Sequence, residues 1–86
     1  MAFTKSETQL QKIMAVCADH RDQQTYTYSE VIGWVWSKYA FVLANQSLAA
    51  LIHRHTKKRK IFNQFGGGKF SINWDAAAIA KQDGIL

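Results

Sequence analysis

The sequence predicts an α+β fold: three helices, a C-terminal β-hairpin and a short final helix. One change of period and one glycine cluster carry that expectation. Apolar residues recur at helical spacing in three separate stretches before Lys60. After Lys60 the period drops to two. Gly66, Gly67 and Gly68 split that second pattern in half, and glycine supplies the positive φ that a tight hairpin turn needs.

Each element has a local reason. Ser6 with Gln9 makes an S-x-x-Q capping box. Leu10, Ile13, Met14 and Cys17 follow at i, i+3, i+4 and i+7, so the first helix is placed at about residues 6–18. The polar run DHRDQQ, residues 19–24, is a loop. Residues 25–27 are expected to pair briefly as a short strand. Thr27 with Glu30 is a second capping box, and Tyr28, Val31, Ile32, Val35 and Tyr39 share one helical face. The second helix is therefore placed at about 28–39. Trp34 projects away from that face, where the first helix or Phe3 is expected to cover it; Trp36 and Trp74 are expected in the core. The stretch YAFVLAN forms an apolar turn, with Asn45 as N-cap of a third helix at about 46–57. Leu48, Leu51, Ile52 and His55 form its inward stripe.

Residues 61–65 and 70–74 flank the glycines as the two hairpin strands. Phe70, Ile72 and Trp74 fall on one face of the second strand, and Ser71 and Asn73 on the other. Asp75 is the expected cap of a short helix over AAAIAKQ, which Gly84 would stop.

Composition narrows the class. An 86-residue chain with 48% hydrophobic and 13% aromatic residues builds one domain with one core. Its apolar runs are too short to span a bilayer, and MAFTKSETQ lacks the apolar centre of a signal peptide. A cytoplasmic location, on the nucleoid in a prokaryotic or viral setting, and no membrane partner are the expectations. The lone Cys17 has no disulfide partner in the chain and sits on an apolar stripe, which reads as an inert buried thiol.

Charge distribution says more than the net +5. Residues 1–30 carry a net −1 and residues 75–86 another −1. Between Glu30 and Asp75 there is no acid, and Lys38, Arg54, Lys57, Lys58, Arg59, Lys60 and Lys69 give +7. A field of one sign concentrated in one part of a domain attracts polyanions.

The order helix, short strand, helix, turn, helix, hairpin resembles the winged-helix (winged helix-turn-helix) DNA-binding domains. The resemblance covers residues 6–74 and rests on element order, element lengths and the glycine-tipped hairpin. It implies a double-stranded DNA partner, a third helix in the major groove, a hairpin wing and a role in transcription regulation. The chain departs from many members by having Lys58, Arg59 and Lys60 where a glycine joins the third helix to the wing.

On that third helix the outward stripe is Gln46, Ala50, His53 and Lys57, flanked by Ser47 and Arg54. Glutamine can bond adenine twice, alanine can touch a thymine methyl, and arginine can grip guanine. Ser47 and the free N–H groups of the helix start suit a phosphate. The plain alternative is an ordinary solvated helix face. The run 57–60 is weighed against a solvated patch in the same way, and clustered cations favour phosphate contact. Lys57, Lys58 and Lys60 are favoured over Arg59, with Lys69 adding charge at a glycine tip that is otherwise a flexible turn. GGGK lacks the upstream glycine and the Ser/Thr of a phosphate-binding P-loop.

Catalysis, metals and cofactors are not expected. His53 and His55 point apart on a helix, and His20 with Asp19 and Asp22 lacks ligand spacing. The rival reading is a winged-helix protein-interaction module. In it an aromatic surface around Trp34 and Phe41 meets a protein partner or a second copy in a homodimer, and the basic patch meets an acidic protein. RNA would use the same charges as DNA.

Overall fold

The computed structural model describes residues 8–83. They form an α+β fold of four helices and a three-stranded antiparallel sheet. The order is α1 (Gln9–Asp19), β1 (Tyr26–Thr27), α2 (Tyr28–Tyr39), α3 (Asn45–Lys57), β2 (Phe62–Gly66), β3 (Lys69–Ile72) and α4 (Trp74–Gln82).

Helix α1 starts two residues later than the Ser6 box would place it. The Thr8 hydroxyl accepts the Gln11 N–H at 3.1 Å, and the Gln11 side chain accepts the Thr8 N–H at 2.9 Å. That reciprocal box satisfies two donors that the helix cannot use internally. Ser6 lies outside the described residues. The apolar stripe is buried as expected, with Val16 added to it. Cys17 is fully buried, and desolvation, with a smaller contribution from the Glu30 charge, pushes its thiol up to about 12. At neutral pH it is neither a nucleophile nor a ligand.

The expected short strand is present and changes the hairpin's surroundings. Tyr26 pairs with Phe70 and Thr27 with Lys69, so β3 is the central strand of the order β1-β3-β2. Tyr26 is buried, and its O–H donates to the carbonyls of His20 at 2.9 Å and Cys17 at 3.2 Å. It thereby satisfies its own buried hydroxyl on carbonyls at the end of α1, each of which also accepts a backbone N–H. Thr27 then caps α2 with Glu30 as predicted. Phe70 joins the layers: its ring lies 5.5 Å from Phe62, 5.7 Å from Tyr26 and 6.0 Å from Tyr28. Leu48 and Ile52 of α3, Val31 and Val35 of α2, and Ile61 close the same core.

Several expectations are corrected. Asn45 does not cap α3; it is the first helical residue, and the cap position is Ala44, without a side-chain hydrogen bond. Ala44 is extended, and its carbonyl accepts the Leu48 N–H at 3.0 Å. Asp75 does not cap α4. Asn73 does, its side chain accepting the Ala76 N–H at 3.2 Å. The Asn73 N–H in turn donates to the Ile61 carbonyl at 2.7 Å, so Trp74 begins the helix and does not extend the strand face. Gly84 lies outside the described residues.

Trp36 is 56% exposed and is not part of the core. Trp34 and Trp36 lie on opposite flanks of the stripe centred near Val31 and Val35, each roughly 100° away at helical spacing. The α1–α2 loop covers only one flank. His20 stacks on Trp34 at 3.9 Å with the rings 10° from parallel. Phe3, the other proposed cover, lies outside the described residues. Trp74 is half-buried against the core, with the Arg21 guanidinium 4.6 Å from its ring centre.

Candidate nucleic-acid interface

The inward stripe of α3 sets its outward face. Leu48 and Ile52 are buried and Leu51 and His55 half-buried, which leaves Gln46, Ala50, His53, Arg54 and Lys57 exposed and Ser47 half-buried. No carboxylate lies on α3. Arg54 and Lys57 lie in its last turn, where cations complement the negative end of the helix dipole.

Helix α3 ends at Lys57, and Lys58 forms the cap with its N–H on the Arg54 carbonyl. The chain then reverses into β2 through Lys60, whose φ is +55°. This left-handed conformation suits glycine, and a side chain there costs roughly 1 kcal/mol. Lysine at this position keeps a charge at the junction. The Ile61 N–H returns to the His55 carbonyl at 3.0 Å and closes the turn. Lys57, Lys58, Arg59 and Lys60 are all exposed.

The structure distinguishes among these cations. Asp83 of the segment after α4 lies 3.7 Å from the Arg59 guanidinium, so Arg59 is partly compensated. Among the described residues no other ion pair reaches the run 57–60. His55 lies beneath it, with a buried Nδ1 that has no hydrogen-bond partner. Burial, then the charges of Arg54, Arg59 and Lys58, hold its pKa below the usual histidine value. His55 is therefore neutral at pH 7 and adds nothing to the field.

Lys69 stands apart. It pairs with Gly66 at the hairpin tip, whereas Phe62 pairs with Ile72 at the base beside Ile61. The four steps from Phe62 to Gly66, at about 3.3 Å each, separate the two ends by roughly 13 Å. The candidate surface thus consists of the α3 face, a basic junction, and one cation at the far end of a hairpin.

The tip is held more firmly than an isolated turn. Gly66, Gly67 and Gly68 have φ of 79°, 61° and 74°. The Tyr28 N–H donates to the Gly68 carbonyl at 2.9 Å, anchoring the tip to the start of α2. Between the pairs Gln64 with Phe70 and Gly66 with Lys69 the register shifts. Phe65 is the extra residue in that bulge and is 60% exposed. Counting by twos from Phe62 places Phe65 on the face opposite the core, a signal that the charge pattern of the same stretch hides.

Trp34 and Phe41 sit elsewhere, half-buried and packed against the core. Lys12 lies 4.1 Å above the Phe41 ring. The large apolar residues exposed near the α2–α3 corner are Trp36 and, in the turn 40–44, Val42 at 77%. A shallow depression lined by Val16, Asp19, His20, Trp34, Ser37 and Lys38 adjoins the stacked pair. Lys38 donates to Asp19 across it at 2.8 Å, which holds the Asp19 carboxyl below its usual pKa. Among the described residues no group of His, Cys, Asp and Glu is placed to hold a metal ion.

A scan of protein-family models and searches of curated proteins and of solved structures find no match to this chain.

Proposed function

We propose that this chain is a winged-helix domain that binds double-stranded DNA and acts as a small transcriptional regulator. Helix α3 enters the major groove, with Gln46, Ala50, His53 and Arg54 facing base edges. Ser47 and the start of α3 meet one phosphate. Lys57, Lys58 and Lys60 meet phosphates flanking the groove, and the hairpin β2–β3 serves as the wing, bringing Lys69 to a more distant one. What supports the reading above all is a coincidence: the acid-free span of +7 includes the exposed face of the second helix in a helix-turn-helix order. Duplex DNA rewards such clustering because each neutralised phosphate releases condensed counterions. The described layout, with its third helix followed by a glycine-tipped hairpin, is compatible with this family.

The test is titration of the protein into a labelled random-sequence duplex, followed by anisotropy at several salt concentrations. Binding whose logarithm falls linearly and steeply with log salt supports the reading. Absence of binding at low salt by the folded protein overturns it.

A second reading has one observation in its favour. Trp36 and Val42 are large apolar residues left exposed. In a protein-interaction module they, in place of the half-buried Trp34 and Phe41, are the contact residues, with a second copy or an acidic protein as partner. No helix among the described residues is long and apolar enough to cross a membrane.

A further inference from the structure

We infer that Phe65 is a wedge: at the hairpin tip it enters the minor groove beside the groove held by α3 and partly unstacks one base step. The inference rests on the DNA-binding reading and specifies what the wing does there.

Four observations converge on Phe65. It is a large aromatic side chain left 60% exposed, although the core already holds Phe62 and Phe70 from the same hairpin. The bulge takes it out of the ladder, leaving it without a cross-strand partner. The chain beyond it is side-chain-free for three residues, and at Gly66 and Gly67 there is open space where a Cβ would stand. Only at Gly68 does the tip come close to a side chain, the Tyr28 ring, which leaves the Gly66–Gly67 side of the turn next to Phe65 open. Its exposed neighbours are Asn63, Gln64 and Lys69, with no acid among them.

Those neighbours match what the minor groove offers. Asn, Gln and Lys read its acceptors and tolerate its potential, while an apolar side chain inserted between base steps kinks the duplex. The hairpin carries Phe65 three residue steps, or roughly 10 Å, beyond Phe62 at its base. Single-stranded nucleic acid is the less suitable ligand, because its binding surfaces stack successive bases on several aromatics along a groove. Phe65 is the one exposed aromatic among the described residues of β2 and β3.

Binding and unstacking are separate readouts. Anisotropy of an alternating dA–dT duplex reports binding. The fluorescence of 2-aminopurine in place of dA at its flexible TA steps reports unstacking. Wild-type protein is expected to bind and to raise the 2-aminopurine signal. Phe65→Ala, at an exposed position, should still bind, roughly 5- to 150-fold more weakly, as for loss of one base–aromatic contact. It should keep the wild-type salt slope and lose the fluorescence rise. Phe65→Leu, which keeps an apolar wedge, should retain most of both. Wild-type binding without a Phe65-dependent rise overturns the wedge and leaves DNA binding standing. A Phe65-dependent preference for the single strand over the duplex also overturns the wedge. No binding to either form overturns both proposals.

Discussion

Replacing Lys57, Lys58 and Lys60 together with glutamine removes the centre of the proposed phosphate surface without touching the core. All three side chains are exposed and none is ion-paired among the described residues. With Arg59 assigned to Asp83, the uncompensated cations of the surface are Arg54, Lys57, Lys58, Lys60 and Lys69. If each meets one phosphate, the slope of log affinity against log salt is about −4.5. A fourfold rise in salt then weakens binding by about 500-fold. The triple variant retains two contacts, a slope of about −1.8 and a loss of about 12-fold over the same range. Anisotropy with a random-sequence duplex measures both slopes, and far-UV circular dichroism checks that the variant is folded. A folded variant with the wild-type slope would refute the assignment of these three lysines to phosphates.

Other outcomes follow from single positions. Ala40 caps α2 at φ +50°, in the left-handed region, so Ala40→Gly should raise stability by about 1 kcal/mol, or several degrees in thermal unfolding. Cys17 should resist iodoacetamide in the native protein near pH 8 and react readily in denaturant. Its thiol is raised from an ordinary 9.0 to about 12, so the unfolded chain loses this proton first. Stability should therefore fall as pH rises above 9 in the wild type, and less so in Cys17→Ala. His55→Leu removes a buried nitrogen without a partner and should stabilise the fold by about 1 kcal/mol in urea denaturation. The lowered histidine pKa means that the unfolded chain takes up the proton first as pH falls. The wild type should lose stability below about pH 6.5, and His55→Leu should lose less.

Elements whose cause is local were legible in the sequence. Thr27, Glu30 and the stripe through Val31 and Val35 fix α2, and it runs over the predicted residues. The glycines at 66–68 adopt the positive φ that their identity suggested. What depended on distant partners was not legible. Trp34 and Trp36 are nearly equivalent on a helical wheel, and the placement of His20 and Tyr26 covers one and leaves the other in solvent. The bulge at Phe65 is a matter of register between two strands, which neither strand specifies alone. The pairing of Arg59 with Asp83 crosses β2, β3 and α4, so an acid-free run in sequence gained a carboxylate in space. Lys69, counted with the other cations along the chain, is separated from them by the length of the hairpin.

In the proposed function the α3 face, the junction 57–60 and the hairpin form a single DNA-facing surface. Amide chemical-shift mapping of isotopically labelled protein, titrated with a short duplex, tests it most directly. The account predicts shifts at Gln46, Ser47, Ala50, His53 and Arg54, through residues 57–60, and at Phe65 and Lys69, with Trp36 and Val42 unmoved. Shifts centred on Trp36 and Val42, or no shifts at a low salt concentration, would contradict it.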